Sequence, residues 1–200
     1  MATADRASPA ASHGGSDGPA ADRIVTARLE LAPLAVSDAE EMVAVLGDER
    51  LYAFTGGRPP TLAELRARYA QLVVGGSPDG TEQWRNWTVR LRDGRAVGSV
   101  QATITATGRA AEVAWVIAMA WQGQGLAAEA AQGLVAWLEA GGVQTITAHV
   151  HPDHHASAAV AARAGLAATG AMHDGERVWR RETTGTSSTG GGRRRRDGGS

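Results

Sequence analysis

The sequence predicts a mixed α/β (α+β) fold, with a central, mostly antiparallel sheet of about six to seven strands flanked by about four helices. Three stretches carry that reading. Between Trp84 and Met119, three apolar segments follow one another through short turns, and strands joined that way run antiparallel. From Gly125 the apolar spacing becomes three and four, and past Gly141-Gly142 a further strand follows. A helical crossover of that kind places it parallel to the strand before the helix. Between Leu166 and Arg181, two short segments flank Asp174-Gly175 as a hairpin. Two hundred residues suffice for one such domain with a real core and are too few for two ordinary ones.

In chain order, residues 1–22 are small and polar and are expected to be a disordered segment, with the folded domain over 23–182. Arg28 to Pro33 alternates apolar and polar side chains, as a half-buried strand does. Ser37 and Glu40 have capping-box spacing, so a helix is expected from Ser37 to Gly47. Asp48 to Phe54 reads equally as loop or helical turn. Pro59-Pro60-Thr61 starts a second helix, with Leu62, Leu65, Tyr69, Leu72 and Val73 on one face. The loop Gly75 to Gly80 leads to strands Trp84–Leu91 and Ala96–Ile104, joined around Asp93-Gly94 as a two-residue turn, and then to Glu112–Met119. The helix after Gly125 buries Leu126, Ala130, Leu134, Trp137 and Leu138, and the strand Gln144–Val150 follows it. Asp153–Ala164 is an Ala-rich helix stopped by Gly165, and Leu166–Met172 with Arg177–Arg181 closes the fold. Residues 183–200, with Arg193 to Arg196, read as a disordered, solvated basic tail.

Composition removes several function classes. Net charge is −1, so no overall field draws the chain to nucleic acid or a membrane surface. All 20 basic residues are Arg, which in an Ala- and Gly-rich chain reflects coding bias more than binding. Without Cys there are no disulfides, no thiolate metal ligands and no thiol nucleophile. No apolar run approaches the ~18 residues of a membrane span, and Met1 to Ala21 lacks the apolar core of a secretory signal. A soluble cytoplasmic protein, monomer or homodimer, is the expectation.

The stretch from Trp115 to Glu129 organises the rest. A strand runs through Gly123 and Gly125 into a helix, so unpaired backbone N–H groups collect at a positive dipole end that suits a phosphate. Gly123-x-Gly125-x-x-Ala128 fits the loose dinucleotide fingerprint, but it follows antiparallel strands, and the next strand ends His149-Val150-His151 without the ribose-binding acid. A Walker loop fails for want of Lys. Gln122-x-x-Gly125-x-Ala127 resembles the Gln/Arg-x-x-Gly-x-Gly/Ala signature of the GNAT superfamily of acyl-CoA-dependent N-acyltransferases. The block from Pro152 through Ser157 to Gly165-Leu166 is similar to the later Asn-x-x-Ser block of its ribosomal-protein N-terminal acetyltransferase branch. The element order agrees from about Arg28 to Glu182.

The resemblance implies a GNAT fold with strands 4 and 5 splayed and acetyl-CoA as co-substrate, without a metal. Pantetheine would lie in the gap against the backbone of Ile117, Ala118 and Met119. The pyrophosphate would lie on the N–H groups of Gln122, Gly123, Gln124, Gly125, Leu126 and Ala127. Gln122 stands where many members have Arg, so the cradle relies more on the helix terminus. His154 replaces the usual cofactor-contacting Asn and can still donate to a carbonyl. Ser157 matches a Ser that protonates the leaving thiolate, and where many members have a Tyr for this, the chain has Ala161. Glu112, at the start of the motif strand, and Glu176, in the final hairpin, compete as general base. No Gly-x-Ser-x-Gly elbow marks covalent catalysis. His149 and His151 share a strand face, but the sequence near them offers no acid or Cys to complete a metal site. Trp84 and Trp87 fall on opposite faces, so only one is core. The segment Tyr52 to Arg58 occupies the region where the acceptor comes in, a small-molecule amine or a peptide N-terminus. The rival is a catalytically idle acyl-CoA-binding domain serving as sensor or interaction module.

Overall fold

Eight strands form one sheet in the computed structural model, which describes residues 22–183. The sequence expectations for the two terminal segments lie, apart from Asp22 and Thr183, outside them. The order across the sheet is β1-β2-β3-β4-β5-β6-β8-β7, with β1 Ile24–Val25, β2 Leu29–Pro33, β3 Glu82–Leu91, β4 Ala96–Thr105, β5 Ala110–Ile117, β6 Thr145–Val150, β7 Ala167–His173 and β8 Glu176–Glu182. All neighbours are antiparallel except β5 and β6, which the crossover helix forces parallel. The extra strand beyond the expected number is β1, whose two residues are too few to show any alternation in sequence.

Four α-helices, α1 Ala39–Val45, α2 Leu62–Leu72, α3 Leu126–Ala140 and α4 His155–Arg163, divide between the two faces of the sheet. Helix α3 buries Leu126, Ala130, Leu134 and Leu138 against Leu31, Val89, Val113 and Ile146, in one apolar core that also holds Ala161 and Ala164 of α4. Trp137, only partly buried, meets the buried Trp87 edge-on at 5.1 Å. Trp84, three residues away and so on the other face, stays partly exposed, and its indole N–H donates to Glu82. The opposite face carries α1 and α2 over a smaller core of Met42, Leu65, Tyr69 and Ala96.

Four local details differ from the sequence expectation. Asp38 and Glu41, not Ser37 and Glu40, fasten α1. The Asp38 carboxylate accepts from Ala35 N–H at 3.0 Å and from Thr88 Oγ1 and Arg90 at 2.8 Å, while Glu41 accepts from Ala96 N–H and Arg90 at 2.7 Å. Those contacts reach across to β3 and β4, so local spacing could not reveal them. The helix stops at Val45, short of Gly47, and Glu49–Tyr52 form a 3-10 turn. Val73 lies past the last turn of α2 and is exposed. The Asp93-Gly94 turn holds three residues between Leu91 and Arg95, with Gly94 at φ 91°, the αL position of a bulged hairpin. By contrast α2 starts where expected, and there the Thr61 hydroxyl accepts from Glu64 N–H while Glu64 reaches back to Thr61 N–H.

Candidate active site

The glycine loop after β5 forms an open row of donors. Gly123 and Gly125 sit at φ 75° and 78°, left-handed conformations that side chains resist. Gly125 is the residue before the first turn of α3, and no side chain caps that helix. Among the described residues, the N–H groups of Gly123, Gln124, Gly125, Leu126 and Ala127 have no acceptor. A terminus left so open, with the positive end of a 15-residue helix behind it, suits an anion. The Gln122 side chain does not face this anion position: its amide donates to Ile117 O at 2.9 Å and ties the loop to the strand end. A positive charge stands nearby from another element. Arg28 donates to Gln124 O at 3.0 Å and lies 3.6 Å from the position a Cβ on Gly125 would take.

Glu129, in the first turn of α3, holds that arrangement in place. Its carboxylate accepts from Thr26 Oγ1 and Arg28 N–H at 2.7 Å and from Arg28 Nε at 2.6 Å. Burial works against the charge, yet the bonds from Thr26 and Arg28 outweigh it and keep the carboxyl below the ordinary glutamate range. The loop is thus clamped to the start of β2 on one side and to Ile117 on the other.

Beyond the loop the sheet opens. Strands β5 and β6 pair only at Ala110–Glu112 with Thr145–Thr147 and then diverge. Between β3 and β4 the register slips at Val89 and Arg90, where Val97 is the extra residue and Gly98 stands beside it; a Cβ on Gly98 would run into Val116 O. Glycine therefore lets β4 stay tight against the end of β5, along the stretch that β6 has already left. The main chain of β5 divides accordingly. Arg109 O accepts from Gln144 and Thr145 on the β6 side, and Ala118 N–H donates to Val97 O on the β4 side. Alternation then turns Val113, Trp115 and Ile117 toward the gap. This corrects the expectation for Ala118, whose N–H is spent on Val97 and whose carbonyl accepts from Trp121 N–H at 2.8 Å.

The cleft formed here has a volume of about 1030 Å³ and runs from the glycine loop between the splayed strands to the face under α1 and α2. Ile117, Met119, Gln122, Gly123, Gly125, Leu126, Ala127, His154, Ser157, Glu112 and Glu176 line it. Ala118 and Gln124 do not, and Gln124 instead turns its carbonyl to Arg28.

Two groups of side chains flank the gap on opposite faces of the sheet. On the α3/α4 face, Trp115 Nε1 donates to Ser157 Oγ at 3.2 Å. The hydroxyl accepts there, so its own proton is left to point elsewhere. Ala161, one turn on, is fully buried in the core. On the other face stand Glu112 and His149, with Glu112 Oε1 3.6 Å from His149 Nδ1. His149 stacks on His173 at 4.8 Å, and Glu176 begins the strand beside them. The structure therefore brings an acid to His149, which the sequence did not reveal. Among the described residues, no three His, Asp or Glu side chains gather as metal ligands.

The gap also has an aromatic roof. Phe54 stacks on His154 at 4.3 Å and lies 5.5 Å from His151, joining the segment after α1 to the start of α4. Burial, aided by repulsion from His151, keeps the His154 imidazole below the usual histidine range and so neutral near pH 7.

The sequence reached the loop and both carboxylates. It missed four groups: Arg28 with Glu129, Gly98, His149 beside Glu112, and Phe54 over His154. Only Gly98 left a trace, as a lone glycine within an apolar strand pattern.

Comparison with known proteins bears on the same stretch. A family model described as an acetyltransferase (GNAT) domain matches residues 28–167. No curated protein matches in sequence. Among solved structures, a GNAT-family acetyltransferase from Bacillus anthracis is similar at TM-score 0.67 and 19% identity, covering 80% of this chain and 98% of that one. RimL, a ribosomal L7/L12 alpha-N-protein acetyltransferase in complex with coenzyme A, gives TM-score 0.68 at 17% identity, covering 80% and 98%. The microcin C7 self-immunity acetyltransferase MccE, in complex with acetyl-CoA and AMP, gives 0.68 at 14%, covering 83% and 98%. At such identities the likeness speaks for the fold.

Proposed function

Because the chain belongs to the GNAT acetyltransferase family, we propose that it transfers an acetyl group from acetyl-CoA directly to a primary amine, either a peptide N-terminus or a small-molecule amine. One observation carries the reading. The donor row at the start of α3 opens straight into the gap between β5 and β6, and that gap ends among Ser157, Glu112 and Glu176. RimL, similar in fold, is an alpha-N-protein acetyltransferase, which supports the N-terminal amine as one form of the acceptor.

The residues fit the co-substrate. The N–H groups of Gly123 to Ala127 would hold the pyrophosphate, and the main chain of Trp115 and Ile117 would accept the pantetheine arm as a partial added strand. Bound there, the thioester supplies an activated acyl carbonyl, so no protein nucleophile is needed. The cleft brings the two reactants together, and such positioning alone is worth ~7–11 kcal/mol of barrier. Ser157 Oγ, its lone pair engaged by Trp115, directs its proton to the departing sulfur. The amine's proton leaves toward the end of the cleft that holds Glu112 and Glu176.

Thiol release from acetyl-CoA, followed with a disulfide dye against a panel of amines and unblocked peptides, tests the reading. Release above background hydrolysis on at least one acceptor supports it. Calorimetric binding of acetyl-CoA with no release on any acceptor overturns it in favour of an idle binding domain.

A further inference from the structure

The two carboxylates at the acceptor end differ from their neighbour His149 in what surrounds them. The last rung between β5 and β6 is Glu112 with Thr147, and His149 is the next residue on that face of β6. It stands at the mouth of the gap, its strand position opposite Val178 of β8. Its side chain is 19% exposed, whereas that of Glu112 is 54% exposed. His173 stacks on the imidazole at an interplanar angle of 20°, which limits its rotation. Nδ1 faces Glu112 at 3.6 Å, too long for a hydrogen bond but within charge contact, so Nε2 faces away from it.

We propose that His149 Nε2 is the group that takes the proton from the acceptor amine, with Glu112 as a positioning residue that favours the Nδ1–H tautomer and steadies the imidazolium. This rests on the acetyl-transfer reading above and deepens it. An imidazole is a better proton acceptor near neutral pH than a solvated carboxylate, and a carboxylate behind its far nitrogen sharpens the tautomer. An ammonium acceptor gives one proton to Nε2. The freed lone pair forms the C–N bond as the C–S electrons leave on sulfur. The second proton lost by nitrogen is balanced by one reaching sulfur, and His149 returns its own to water.

Other charged groups face the same space: His151 just past β6, His173 on β7, and Glu176 and Arg180 on β8. Arg50 and Arg68 line the wall opposite. Because these charges share the space, the test compares variants with the parent protein over the full pH range.

With the amine that the parent protein turns over fastest, His149→Gln is expected to lower kcat/KM on the order of 100-fold at neutral pH. Acetyl-CoA affinity should be unchanged, and the deficit should shrink as rising pH deprotonates the amine in bulk. Glu112→Gln should cost less, about tenfold, because it leaves the proton acceptor in place and loosens only its tautomer and orientation. A larger loss for Glu112→Gln than for His149→Gln, or His149→Gln within threefold of the parent, overturns the proposal. Nitrogen-15 NMR of labelled histidine reads the contact without turnover. An Nδ1–H tautomer of His149 that weakens in Glu112→Gln supports it, and an Nε2–H tautomer unaffected by that change overturns it. If no amine is turned over, the acetyl-transfer reading fails on its own, and the tautomer measurement still decides the pairing.

Discussion

The two ends of the cleft are built from different materials. At the glycine loop the working groups are main-chain N–H donors, fixed by two left-handed glycines and by clamps to β2 and Ile117. At the far end they are side chains from three strands and one connecting segment: Glu112 on β5, His149 on β6, Glu176 on β8 and Phe54 before α2. A main-chain cradle depends on backbone shape, here on two left-handed glycines, so it fits a ligand part that does not vary, such as a pyrophosphate. A side-chain wall can be rewritten one residue at a time, which suits choice of acceptor. Fold and donor therefore go together, and the acceptor is specified separately.

The strongest way to break this contrast is to put a side chain in the cradle. Gly125→Glu adds a Cβ at φ 78° and a carboxylate beside the donor row, where it competes with Glu129 for Arg28. Acetyl-CoA affinity in calorimetry should fall by more than about 100-fold, some 2.7 kcal/mol or more, while circular dichroism stays that of the parent. Unchanged affinity would remove the loop from the site. Ser157→Ala is expected to lower kcat on the order of 100-fold with donor affinity retained. If affinity falls instead and turnover at saturation holds, Ser157 binds and water protonates the sulfur.

Smaller effects sharpen the same line. Gly98→Ala forces a methyl against Val116 O and should cost about 1–3 kcal/mol in urea unfolding. Glu129→Gln leaves Thr26 and Arg28 with a weaker acceptor and should cost roughly 1–2 kcal/mol. The sign with pH is set by the lowered carboxyl: its contribution is complete above the ordinary glutamate range and is lost as pH falls through the depressed value. The parent and Glu129→Gln should therefore converge in stability in acid; a gap that stays constant down to the lowest pH at which both fold would show the charge to be idle. Gln124→Ala removes an exposed side chain from the middle of the cradle, and donor affinity should stay within twofold. A larger loss would mean that side chains, too, hold the donor.

What the sequence disclosed follows the same division. The loop, the helix after it and the meander before it depend on neighbours within a few residues, so Gly123, Gly125 and the apolar spacing of α3 made them legible. The start of α2 after Pro59-Pro60-Thr61 was legible for the same reason. Asp38 was not, because its partners Thr88 and Arg90 lie some fifty residues on. His149 meets Glu112 only because a crossover helix sets β6 beside β5, and Phe54 meets His154 across a hundred residues of chain. Sequence spacing carries no distance between elements, so candidate acids could be named there but not matched to the groups they serve.

The seam between β5 and β6 has a mechanical consequence. Three rungs and the packing of α3 and α4 join the five strands on one side to the three on the other. A ligand lying in the seam would act as a fourth and fifth rung, so donor affinity and cohesion of the sheet become a single linked quantity. Amide exchange at Val113 to Ile117 and at Ala148 to Val150 should then slow together when acetyl-CoA binds. Bound there, the substrate would finish the enzyme's own sheet, and spent CoA would have to loosen that sheet again on its way out.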